Sequence, residues 1–215
     1  MNKLQALATL LSKPKRLAAL LSYGHKGYLA SIGWFTAFDN RQAVDAHNQP
    51  IPWVTYSFID FIKDRLNKNL SVFEYGSGNS TLFYAKHVKR VVSVEHDEAW
   101  YKKIVNQKAP NAEMIFTKLE TNGEYSQKAK LLGEKFDVII VDGRDRVNCC
   151  KHSINALTEN GILVLDDSER EVYDEARTFL KAEGFKELSF SGISPGLFYN
   201  KATSVFYKAI NCLDI

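Results

Sequence analysis

Glu74-Tyr75-Gly76-Ser77-Gly78-Asn79-Ser80 holds the densest chemistry in this chain. These residues follow an apolar run ending in Val72-Phe73 and precede a helix-like segment from Thr81 to Val88. They therefore sit where a strand turns into a helix. Glycine has no Cβ and tolerates positive φ, so Gly76 and Gly78 let a ligand touch the backbone. Glu74 selects among ligands. A carboxylate at the mouth of such a loop repels a pyrophosphate and attracts an ammonium or a sulfonium. A second apolar run, Val91-Val92-Ser93-Val94, ends in another acid, Glu95. An acid there can accept both hydroxyls of a ribose. His96 and Asp97 follow, and Asp97 is suited to cap a helix starting near Glu98.

The elements that must position these residues are readable from periodicity. Apolar, β-branched runs occur at Ser71–Tyr75, Val91–Glu95, Ala112–Phe116, Phe136–Val141, Gly161–Asp166, Phe185–Phe190 and Ser204–Tyr207. Charged helical segments separate the first six. Strands alternating with helices predict an α/β fold, a parallel sheet covered on both faces. Between the last two runs lies Gly192-Ile193-Ser194-Pro195-Gly196 and no helix, so they are expected to form an antiparallel hairpin at one edge. That segment also matches the G-x-S-x-G elbow of hydrolases. Every histidine precedes Ser194, Pro195 follows it and a strand comes next, so it reads as a loop. Residues 1–67 read as a helical N-terminal cap and residues 68–215 as the main domain.

The 215 residues carry 25% charged and 12% aromatic side chains and a formal charge of +3, the profile of an ordinary globular enzyme. Nothing in that balance calls for a nucleic-acid partner. Three cysteines, two of them the adjacent Cys149 and Cys150, make no disulfide framework and point to a reducing, cytoplasmic setting. No apolar run approaches the length of a membrane span. Leu4, Leu7, Leu10 and Leu11 recur at helical spacing, as do Leu17, Leu20 and Leu21 after Pro14; Lys13, Lys15 and Arg16 spoil the stretch as a signal peptide. One reading packs this amphipathic segment on the domain; the other lays residues 1–22 on a membrane surface.

Glu74-x-Gly76-x-Gly78-x-Ser80 together with Glu95 resembles the first two motifs of class I S-adenosylmethionine-dependent methyltransferases. Ser80 stands where that family has its third glycine. The likeness covers roughly residues 70–208. It implies a three-layer Rossmann-like fold, a seven-stranded sheet with a reversed last hairpin, and S-adenosylmethionine as cofactor. The pieces Val72 to Thr81, Val92 to Asp97 and Val141 to Arg144 are similar to a bacterial methyltransferase group of poorly defined substrate. The resemblance implies that Glu74 serves the cationic methionine end. The backbone from Gly76 through Ser77 and Gly78 to Asn79 would cradle that end, Glu95 would hold the ribose and His96 would lie near the adenine. A dinucleotide enzyme is disfavoured: G-x-G-x-x-G would need glycine at Thr81, and no Tyr-x-x-x-Lys pair or phosphate loop occurs. An NAD(P)-dependent oxidoreductase, an aminopropyl transferase and a non-enzymatic cofactor-binding module remain the alternatives.

In that family the loop after the fourth strand lies between methyl donor and acceptor. Here it reads Asp142-Gly143-Arg144-Asp145-Arg146, without the Asn/Asp-Pro-Pro-aromatic motif of amino-nitrogen methylation. The expectation is O-methylation of a small molecule or glycan, with Asp142 as base. Asp142 with Asp166 and Asp167 resembles the acid trio of metal-dependent catechol-type enzymes and could hold Mg²⁺. The plainer reading makes Ser168-x-x-Glu171 a capping box, with both aspartates at a helix start. Arg144, Arg146, Lys151 and His152 form a basic cluster suited to an anionic acceptor. Trp34, Trp53 and Tyr56 are candidates for the acceptor wall. Neither the oligomeric state nor the acceptor follows from the sequence.

Overall fold

The computed structural model describes residues 2–23 and 26–215. The seven apolar runs become β1 (Ser71–Tyr75), β2 (Arg90–Glu95), β3 (Ala112–Phe116), β4 (Phe136–Val141), β5 (Leu157–Asp166), β6 (Lys186–Gly192) and β7 (Lys201–Tyr207). They form one sheet in the order β3-β2-β1-β4-β5-β7-β6. β1 to β5 pair in parallel, and β7 runs antiparallel between β5 and β6. This is the expected Rossmann-like sheet with its reversed C-terminal hairpin.

Alternation along the strands feeds two cores. Val72, Val91, Val138, Ile140, Val164 and Val205 point to one face. There they meet α5 (Tyr56–Lys63) and α6 (Asn79–His87), through Phe58, Ile62 and Tyr84. Phe73, Val92, Val94, Ile139, Leu163, Leu165 and Phe206 point to the other. That face is covered by α8 (Glu124–Leu131), α9 (Arg146–Ser153) and α10 (Asp174–Ala182), with Tyr125, Cys149, Cys150 and Leu180 buried in it. The side chains of one strand thus serve both layers, as a parallel sheet with helices on each side requires. α7 (Glu98–Ile104) follows β2, and Asp97 caps it by accepting from the Trp100 N–H at 2.9 Å.

The N-terminal segment forms α1 (Lys3–Leu11), α2 (Pro14–Ser22), α3 (Tyr28–Ser31) and α4 (Trp34–Asn40). α4 is fastened to the β6–β7 loop: the Trp34 indole donates to the Leu197 carbonyl at 2.8 Å, and Phe38 stacks on Trp34. After Gly192 ends β6, residues 193–196 are a loop, with Ser194 buried. α2 buries no residue.

Strand order reverses between β1 and β4, because β1 pairs with β2 on one side and β4 on the other. A crevice opens at such a switch point, outside the carboxyl ends of the strands. Two glycines let the chains leave β1 and β4 side by side. Gly76 has φ +94°, and a Cβ on Gly143 would lie 2.0 Å from the Tyr125 hydroxyl and 3.0 Å from the Gly76 nitrogen. Tyr125 is fully buried and cannot step aside. Gly143→Ala is therefore expected to destabilise the protein by about 1–3 kcal/mol through overpacking. Urea unfolding would measure this; a variant as stable as the parent would show that the crossing has slack.

Candidate functional site

The crevice is a cavity of about 670 Å³, lined by the 74–82 loop, Glu95, His96, Trp100, Asp142 to Arg144, and residues 40–43, Ile51 and Trp53 of the N-terminal segment. Gly76, Ser77, Gly78, Asn79 and Ser80 all face it, as the motif predicts. A smaller cavity of about 360 Å³ near the starts of β4 and β5 is lined by Lys135, Leu157 and Phe185 and touches none of the loop acids.

The loop is held by side chains as well as by its glycines. The Gly76 N–H donates to the Val94 carbonyl at 2.9 Å, which binds the turn to β2. Gly78 has φ +152° and sits beneath Trp100, whose indole donates to the Ser77 carbonyl at 2.9 Å. The Asn79 amide donates to the Ala43 carbonyl at 2.8 Å, so this residue fastens the N-terminal segment over the pocket. Thr81 does two jobs. Its hydroxyl donates to Glu74 at 2.6 Å and accepts from the Gly78 N–H at 3.1 Å. A third glycine at that position could do neither. The signal was in the sequence: a hydroxyl three residues after a helix-capping position.

Glu74 is buried, and burial pushes its carboxyl up to about 7, against the lowering effect of the Ser80 and Thr81 hydroxyls. The nearby Glu95 adds to the rise. Near neutrality this group therefore stands between its two protonation states, and a cation bound beside it would favour the carboxylate.

Glu95 is already well bonded. One oxygen accepts from the Ser77 hydroxyl at 2.8 Å; the other accepts the N–H groups of His96 at 2.8 Å and Asp97 at 2.9 Å. A carboxylate has about four acceptor positions, so a place remains for an incoming hydroxyl. His96 Nδ1 lies 2.9 Å from Glu95 but out of line for a hydrogen bond. Its ring packs edge-on against Tyr125, and Trp100 lies across the same wall. Trp100 escaped the sequence reading; an aromatic just inside a helix capped by Asp97 was the available clue.

The acids at the ends of β4 and β5 converge on protein cations. Arg146 is within 3.0 Å of Asp142, 3.4 Å of Asp167 and 3.8 Å of Asp166. It also donates to the Gly143 and Asp166 carbonyls. Lys201 lies 2.6 Å from Asp166 and 2.8 Å from Asp167, and the Thr203 hydroxyl donates to Asp166 at 2.8 Å. The expectation that Asp142, Asp166 and Asp167 hold Mg²⁺ is thus corrected. The ammonium of Lys201 and the guanidinium of Arg146 occupy the space between the carboxylates, and no group of three or more His, Cys, Asp or Glu among the described residues is arranged for a metal ion. Asp142 differs from the other two. It keeps 22% of its side-chain surface open, at the cavity. Burial of the remainder and the neighbouring Asp166 push its carboxyl upward, with Arg146 and Lys201 opposing.

Other expectations change with packing. Tyr56 is not in the cavity wall: at the start of α5 its ring turns into the core. Trp34 is likewise engaged with the β6–β7 loop, whereas Trp53 does line the cavity, its indole donating to the Pro195 carbonyl at 2.8 Å. The basic cluster does not converge. Arg146 is consumed by the acids, Lys151 pairs with Glu175 and His152 contacts Asn122. Arg144 is exposed and faces the cavity. Ser168 makes no capping box; its hydroxyl shares a hydrogen bond with Ser204 at 2.7 Å, and α10 begins only at Asp174.

No family model matches this sequence, and no curated protein matches it. Solved structures do. Precorrin-6y C5,15-methyltransferase from Geobacter metallireducens is similar at 14% identity, over 80% of this chain and 96% of that one, with a TM-score of 0.54. A methyltransferase-like protein from Silicibacter pomeroyi is 21% identical over 74% of this chain and 89% of its own, with a TM-score of 0.53. A Streptococcus mutans protein solved in complex with SAH is 16% identical over 69% and 94%, with a TM-score of 0.50. At such identities the likeness is one of fold. The chain has the Rossmann-like fold of the class I S-adenosylmethionine-dependent methyltransferases.

Two outcomes test the electrostatics. The Glu74 carboxyl rises from 4.5 to about 7 on folding, so the folded state binds its proton more tightly than the unfolded chain. That penalty is absent below 4.5, grows as pH rises and is complete above 7, where it is worth about 3 kcal/mol. Glu74→Gln should match the parent near pH 4 and be the more stable at pH 8; an unchanged difference between the two pH values would show that Glu74 ionises without cost. Lys201→Met should destabilise by about 3–5 kcal/mol by leaving buried carboxylates unpaired, and adding Asp166→Asn should recover part of the loss. Additive losses in the double variant would refute a coupled pair.

Proposed function

We propose that the chain is an S-adenosylmethionine-dependent methyltransferase acting on an oxygen of a small molecule or glycan, in a cytoplasmic setting. One observation carries the reading. Glu74 and Glu95, at the ends of adjacent strands, open into a single cavity at the switch point, with Gly76 and Gly78 between them. An acid whose carboxyl sits near neutrality suits a cationic methionine end, and the remaining acceptor position on Glu95 suits a ribose. The glycine turn supplies the close approach that both would need.

The cofactor supplies an electrophilic methyl group on a sulfonium. The residues of this chain do the rest. Trp53 and Arg144 bound the open side of the cavity and would orient the acceptor. Asp142, at the cavity floor, would take the proton from the acceptor hydroxyl as the oxygen–carbon bond forms and the sulfur–carbon bond breaks. An upward-shifted carboxyl is a better base once ionised, and Arg146 beside it favours the ionised form against the opposing effect of burial. Positioning acceptor and donor in line contributes the larger part of such a rate enhancement. The three cysteines are free, which accords with a reducing compartment.

Calorimetry with S-adenosylhomocysteine tests the reading. Binding is expected for the parent, to weaken more than about tenfold in Glu95→Ala, the size of a lost charge-assisted hydrogen bond, and to tighten between pH 6 and 8 as Glu74 gives up its proton. No binding by the folded protein, or tight binding of NAD in its place, would overturn it.

A further inference from the structure

We propose that α1 and α2 form a docking surface for an anionic lipid bilayer. This goes beyond the methyl-transfer reading and does not rest on it.

Both helices carry an apolar stripe that the rest of the protein leaves open. Leu7, Leu10 and Leu11 recur at i, i+3 and i+4 in α1, and Leu17, Leu20 and Leu21 do so in α2. Leu7 is 53% exposed, Leu11 62%, Leu20 46% and Leu21 68%. No described side chain of α1 is buried, and α2 buries none. A stripe of this kind on a globular protein is normally packed inward. Four leucines this open mark a surface that meets something else. Tyr23 and Tyr28, also exposed, follow α2 and open α3. Tyrosine favours the boundary between lipid tails and water.

Charge identifies the partner. Lys3, Lys13, Lys15, Arg16 and Lys26 are five bases, and the first acid of the chain is Asp39. The whole chain is only +3, so everything after this segment is net acidic. Such segregation directs one end of the molecule to a negative surface and turns the body away from it. In α2 the bases Lys15 and Arg16 lie outside the arc of Leu17, Leu20 and Leu21. A helix with that division lies in the interface plane, leucines down and ammonium groups at the phosphates. No helix among the described residues is long and apolar enough to cross a membrane, so the contact is peripheral. A second copy of this chain would cover the leucines, but it would bring five more bases against the first five.

Flotation with vesicles separates these partners. The full chain is expected to float with phosphatidylcholine vesicles containing phosphatidylglycerol, far less with phosphatidylcholine alone, and less in high salt. Lys15→Glu with Arg16→Glu, and separately Leu11→Glu with Leu21→Glu, should each reduce binding more than about tenfold, given the worth of a base or a buried leucine at a bilayer. Thermal melting, on which these exposed positions should have little effect, controls for folding. Three results would overturn the proposal: no flotation with anionic vesicles, equal flotation with neutral ones, or a dimer in light scattering that the leucine variant abolishes. Since no cofactor is added, failure here leaves the methyltransferase reading untouched, and absence of S-adenosylhomocysteine binding leaves this one untouched.

Discussion

Two buried cations hold together the carboxyl ends of β4 and β5 and the start of β7. Arg146 reaches from the first turn of α9 to the acids of both β4 and β5. Lys201, at the first residue of β7, binds the acids at the end of β5 and the Trp53 carbonyl. Unpaired, three carboxylates so close would repel and resist burial; paired, they fix where β7 enters the sheet and where the N-terminal segment lies over it. The arrangement is expensive to break and gives little net stability against an apolar alternative. Its value is geometric. It brings the cavity floor, the hairpin and Trp53 to one place.

A second constraint acts across the crevice, between β1 and β2. Glu74 is held by a short bond from Thr81, and Glu95 by Ser77 and two backbone amides. These bonds shape the loop before any ligand arrives, so little ordering would be left for binding to accomplish. They also differ in kind. Glu95 accepts from three donors, whereas Glu74 is deeply buried and its carboxyl therefore rises. The cavity thus offers one carboxyl group already engaged by three donors and one poised to ionise for a cation.

β1 and β4 were legible because Val, Ile and Phe dominate runs buried on both faces; β3 also begins and ends where its apolar run does, although its residues alternate between buried and exposed. β5 and β7 are longer than their apolar runs. The first part of β5 carries Thr158, Glu159 and Asn160, which look like loop and are partly exposed. β7 starts with Lys201, Ala202 and Thr203, which look like surface, yet all three are buried. The burial of Lys201 depends on Asp166, 35 residues away, and periodicity cannot register a partner at that distance. The same limit explains the acid trio. Spacing showed three aspartates at strand ends but not the lysine that sits between two of them. Tyr56 misled for a related reason, since an aromatic at a helix start can turn to either side.

The lysine changes what Asp142 can do. With a hard cation between the three acids, all would share its charge and the acceptor oxygen would join the same centre. With Lys201 set back against Asp166 and Asp167, those two are satisfied behind the cavity floor. Asp142 alone reaches the front, paired on one side with Arg146 and open on the other. Burial raises its carboxyl first and Asp166 adds to the rise, while Arg146 and Lys201 lower it. Arg146 is itself fixed by carbonyls of Gly143 and Asp166, so the distance between the two charges does not depend on a flexible side chain. Under the proposed function, Arg146 would thereby bias the protonation of the residue assigned as base. Lys201 lowers the Asp142 carboxyl as well, which ties the β7 hairpin, remote in sequence from the glycine loop, to the electrostatics of the cavity floor.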